Sequence, residues 1–141
     1  MLYDQPDWGN PMLSETKSML ASSEPRQVLV ASWDALDVTR RVASTVTWEA
    51  GSDELQALAA SQSCMAGRAL LPLPGSGRPL EASVIEAGPE GLEPWVELLH
   101  EVRDALVRLS DGQSDEARAV LVAAAGHADA GAVALATVRG H

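Results

Sequence analysis

"EPWVELLHEVRDALVRL", residues 93–109, carries the clearest pattern in the chain, and its reading decides the fold. At 100° per residue, Trp95, Leu98, Leu99, Val102, Leu106 and Leu109 share an arc of about 100°, the stripe of a helix laid on a core. The other side holds Glu93, Glu97, Glu101 and Asp104, with His100 among them and Arg108 at the end. Pro94 suits the first turn, where its missing N–H would have no helical partner. Carboxylates spaced four apart repel by about 0.2–0.5 kcal/mol per pair, so this face is not tuned for isolated helix stability.

Three roles compete for the acidic face. It can be a solvated surface that keeps an acidic protein soluble. It can dock a basic partner, with Val96 and Val107 beside the carboxylates supplying apolar contact. It can bind metal, since Glu97-x-x-His100 has the carboxylate–imidazole spacing of di-iron bundles. Those bundles need two such pairs facing inward, whereas this chain has one, turned away from the apolar stripe. No metal or cofactor is therefore expected.

Working upstream, Gly88, Pro89 and Gly91 mark a turn, and "LEASVIEAG", 80–88, reads as a short helix or a lone strand, with the helix favoured. "LPLPGSGRP", 71–79, is a loop: its prolines lack backbone donors and its glycines loosen the chain. Its PGSG lacks the Lys-Ser/Thr end of a phosphate loop. A helix is expected from a Ser52 cap to about Leu70, with Leu55, Leu58, Ala59, Met65, Ala66 and Ala69 inward. Gly51 stops the preceding helix, which runs from about Arg26 to Trp48 behind a Ser23 cap and Pro25. Its apolar residues cover more than half the circumference, leaving Asp34, Asp37 and Arg41 a narrow remainder, so it is read as a central helix. Asp37 and Arg41 form a favourable i,i+4 pair. A short helix is expected over 12–21, behind an irregular arm, 1–11, rich in turn formers.

Downstream, Gly112 ends the opening helix and Ser114, Asp115 and Glu116 start another. The segment that follows is apolar nearly all round and so reads as buried, with a break near 126–131 where Gly126 and Gly131 fall. "AVLVAAAGHADAGAVALATV", 119–138, is long enough to span a membrane, but Asp129 near its middle costs about 2.5–3.5 kcal/mol there. A buried helix is the expectation, with no membrane partner.

The totals bound the rest. One domain fits 141 residues, and the absence of Phe makes the core thin, which favours a homodimer as a way to bury more area. Ten Lys+Arg against twenty Asp+Glu give a net charge of -10, with no basic stripe to neutralise phosphates, so direct nucleic-acid binding is not expected. Lys17 is the only Lys, which with the Ala, Gly and Val load suggests a GC-rich bacterial genome. Cys64 is the only cysteine, which fits a reducing cytoplasm, and the first residues lack the pattern of a secretory signal.

Other candidates carry less. Cys64 with a distant His would need a geometry the sequence does not display, and a buried thiol is commoner. Asp129 and His127, two apart, do not share a helix face, and Asp129 reads as a cap or break. Among the four tryptophans, Trp48 lies on the polar side of its helix and is the candidate interface anchor.

The expected architecture is all-α: a compact bundle of about five helices joined by short corners. The expected function is that of a non-enzymatic protein–protein interaction module, regulatory, immunity or antitoxin-like. It would dock a basic partner through Glu93, Glu97, Glu101, Asp104, Val96 and Trp48. The alternative is a small-molecule-binding protein or small enzyme, with an interhelical pocket using Ser61, Gln62, Cys64 and His127.

Overall fold

Five helices make up the regular structure in a computed structural model that describes residues 11–46, 53–72 and 92–139. They are α1 (Pro11–Leu20), α2 (Pro25–Val46), α3 (Glu54–Leu70), α4 (Glu93–Ser110) and α5 (Asp115–Arg139). The fold is all-α, as expected. Residues 1–10, the Trp48–Gly51 corner, Ser52 and the segments 73–79 and 80–88 lie outside the described residues.

Helix starts follow the local chemistry, with two corrections. Glu24, not Ser23, precedes α2: its carbonyl accepts from the Val28 N–H, while the Ser22 hydroxyl accepts from the Glu24 N–H at 3.0 Å. Asp53, not Ser52, caps α3, accepting from the Gln56 N–H at 3.2 Å. Ser114 caps α5 as expected, accepting from the Ala117 N–H at 3.2 Å. Between α4 and α5, Gly112 has φ +84°, a left-handed conformation that glycine reaches without strain.

α5 packs along both α3 and α4, α2 closes against α3 and α4, and α1 lies across α2 and α4. The core between them is built from Leu36, Val42 and Val46 of α2, Leu98, Leu99 and Leu106 of α4, and Leu135 and Val138 of α5. α2 is buried on most of its circumference, Asp34 included, which corrects the expectation that Asp34 shares an outer strip.

Two expectations about α3 and α5 fail together. The inner face of α3 is Ala57, Ala60, Ser61, Cys64 and Gly67, while Leu55, Leu58, Ala59, Met65 and Ala69 are exposed and Ala66 is half-buried. α5 runs unbroken through 126–131. Both follow from the close antiparallel approach of the two helices. A Cβ at Gly67 would stand 3.2 Å from the His127 Cβ and 3.4 Å from the Leu36 Cδ1; one at Gly131 would stand 3.3 Å from the Leu99 Cδ1 and 3.5 Å from the Cys64 Sγ. Small residues line the contact because backbones must come near, so the bulky residues of α3 are turned outward. Gly131 makes room for a neighbour instead of ending the helix, and the packing of a 25-residue helix offsets the roughly 1 kcal/mol each interior glycine costs.

Candidate functional site

α4 presents the acidic face as expected. Its inner side buries Trp95, Leu98, Leu99, Val102, Ala105 and Leu106. Glu93, Glu97 and Asp104 are exposed on the other side, and Glu101 and His100 are half-buried beside them. Val107 is also exposed.

Val96 corrects the expected site. It is 4% exposed and belongs to the core, so it offers a partner no surface. Because α4 is covered by α1 and α2 as well as α5, its apolar arc is wider than packing on one neighbour requires. Leu109, placed on that arc, is half-buried at its edge. Trp48 is outside the described residues.

The face already holds one basic side chain. Lys17 of α1 reaches across to Glu97 and Glu101, its Nζ 3.8 Å from the Glu97 Oε1 and 3.6 Å from the Glu101 Oε2. Both carboxylates keep about half their side-chain surface in solvent, so each pairing is worth at most about 1 kcal/mol. α1 is tied to the same helix at its end, where the Arg108 guanidinium donates to the Leu20 carbonyl at 2.8 Å. One edge of the face is also neutralised. Arg103 donates to Asp104 at 2.9 Å and to Asp129 of α5 at 2.7 Å, and those two bonds, in that order, raise its pKa above the ordinary value. Asp129 is therefore a mid-helix ion-pair partner, not the cap or break its sequence suggests. The signal that could have found this pairing, an Arg on one helix and an Asp on another, is invisible to periodicity.

A second charged cluster escaped the sequence reading. Asp37 of α2 meets Arg41 at 3.6 Å, the expected i,i+4 pair, but also Arg40 at 3.6 Å and Arg68 of α3 in a hydrogen-bonded ion pair. The Arg68 guanidinium lies 5.1 Å from the centre of the Trp33 ring, a cation–π distance. This cluster fastens α2 to α3.

The four polar residues of the pocket alternative do not converge. Gln62 is exposed, His127 is half-buried against Gly67, and Ser61 shares a hydrogen bond with Ser44 at 3.1 Å. Cys64 is buried, and burial pushes its thiol up to about 12 against the opposing pull of Arg40 and Arg68, so at neutral pH it is a protonated packing residue. An apolar hollow of about 230 Å³ lies elsewhere, between Pro25, Leu29, Pro72, Leu109, Val120 and Leu121. No group of three or more His, Cys, Asp or Glu placed to hold a metal occurs among the described residues. α5 is long and apolar enough to cross a membrane by length and composition, and the core helix of a folded bundle passes the same test.

No family model matches this chain, and comparison with curated proteins and with solved structures gave no match.

Proposed function

We propose that this chain is a non-enzymatic interaction module that docks a basic protein segment on the acidic face of α4. The observation that carries the reading is Lys17, an ammonium group seated between Glu97 and Glu101. The chain itself thereby displays the contact a basic partner would repeat, one cation per pair of carboxylates a turn apart. Glu93 continues the row toward the helix start and Asp104 toward its end. Long-range attraction from a chain of net charge -10 would speed encounter with a cationic partner and disfavour acidic competitors. A regulatory, immunity or antitoxin-like role in a bacterial cytoplasm fits this chemistry, as do the lone free thiol and the scarcity of Lys.

The test is affinity capture from extract of the native cells, run with the intact chain, with Glu97→Lys/Glu101→Lys and with Lys17→Ala. A basic protein held by the intact chain, lost from the reversed variant and from washes at high salt, and held more tightly by Lys17→Ala is the expected result. Equal recovery on the intact and reversed baits rejects the acidic face as the docking site.

A further inference from the structure

Six large apolar side chains stand exposed among the described residues, and five of them are on α3 and α5: Leu55, Leu58, Met65, Val122 and Val133. Leu55 is 78% exposed and Val133 60%, values that belong to unpacked side chains. Apart from Glu54 at the start of α3 and Asp129, paired with Arg103, the side chains exposed around them are uncharged. On α3, every exposed position after Glu54 is Leu55, Leu58, Ala59, Gln62, Met65 or Ala69. On α5, the exposed positions after Arg118 are Ala119, Val122, Ala123, Gly126, Ala130, Val133 and Thr137. The two helices lie antiparallel in direct contact, so these surfaces adjoin.

We propose that this α3/α5 surface is where a second copy of the chain binds, two α3/α5 pairs stacking face to face. The occupant follows from charge and size. Two molecules each of net charge -10 repel wherever their carboxylates face one another, and over 55–69 of α3 and 119–137 of α5 the surface carries a single carboxylate, Asp129, already paired with Arg103 at 2.7 Å. The acidic α4 face attracts the opposite kind of partner, a cationic one. This surface thus suits the one partner whose charge is fixed by the sequence itself.

Size agrees. The 17 residues of α3 span about 25 Å and two adjacent helices about 20 Å across, a footprint on the order of 500 Å² before side-chain relief is counted. Stable pairs bury about 800 Å² of accessible surface per partner, which a corrugated face of this footprint approaches. Gly126 fits the same role. A Cβ there would meet nothing within 4 Å, so the fold's own packing does not require glycine, whereas a helix of a second copy could approach closely there.

The proposal is independent of the α4 reading, and salt separates them: screening weakens capture of a cationic partner but strengthens association of two like-charged copies. The experiment is sedimentation equilibrium of the full chain, wild type beside Leu55→Glu, Val133→Glu and Val107→Glu. Val107 is the exposed large apolar residue of α4 and serves as control. The three positions are exposed, and circular dichroism checks that helix content is kept. A wild-type dimer, at least tenfold weaker in each of Leu55→Glu and Val133→Glu, unchanged in Val107→Glu and tighter at higher salt, is the expected outcome. A wild-type chain that stays monomeric at about 100 μM overturns the proposal, whether or not it binds lipid vesicles or another protein through these residues. So does a dimer indifferent to both α3/α5 substitutions.

Discussion

Cys64 concentrates the physical logic of the α3–α5 contact in one side chain. It occupies the position where Gly131 of α5 comes nearest, and a bulkier residue at either site would push the helices apart. Burial there removes solvent from the thiolate and raises the thiol from 9.0 to about 12. The folded chain therefore holds this proton more tightly than the unfolded chain does. Its contribution is complete below pH 9 and is lost as pH rises from 9 toward 12, an effect on the order of a few kcal/mol. Urea unfolding of wild type should accordingly weaken steeply over that interval, while Cys64→Ala, destabilised at neutral pH by the lost sulfur, should decline less steeply. Parallel pH profiles for the two proteins would show that the thiol is ionised as easily in the fold as outside it.

Among the elements, legibility followed the size contrast between residues. α4 was readable to within a residue at its C-terminal end because Trp, Leu and Val oppose Glu and Asp on a single helix. Its acidic face was legible for the same reason, but Val96 was not, since the number of neighbouring helices sets how wide the buried arc is. α3 misled because its large apolar residues mark the outer face, while its inner face is chosen by the distance of closest approach and so by Ala, Ser, Cys and Gly. Nor could spacing within one helix announce the cross-helix charges, Asp37 with Arg68 or Arg103 with Asp129. The Asp37 cluster supplies the test at this scale. Removing its charge leaves three guanidinium groups, partly buried, facing one another without a carboxylate between them. Asp37→Asn should cost about 1–3 kcal/mol in urea unfolding, several times the roughly 0.2–0.5 kcal/mol of the i,i+4 pair probed by Arg41→Ala. Equal losses from the two substitutions would mean that Asp37 does no more than steady its own helix.

For the molecule as a whole, the decisive quantity is the excess of charge that no internal pairing can cancel. Were all ten Lys and Arg paired one to one, ten of the twenty Asp and Glu would remain uncompensated. A folded chain of this length has a radius of gyration of about 14 Å. The screening length is roughly 30 Å at 0.01 M salt and 10 Å at 0.1 M, so at low salt each of these carboxylates feels the others across the whole body. Salt also weakens the attractive pairs, but these are short, partly shielded contacts, such as Arg103 to Asp129 at 2.7 Å, that lose little when distant repulsion has already been screened. Repulsion should therefore govern the response. The urea midpoint should rise between 0.01 M and about 0.2 M sodium chloride with an unchanged denaturant slope, at a chain concentration low enough to keep the protein monomeric. A midpoint that falls with salt would instead assign the stability of this bundle to its Asp37, Lys17 and Arg103 ion pairs, and would make net charge a property of its surface alone.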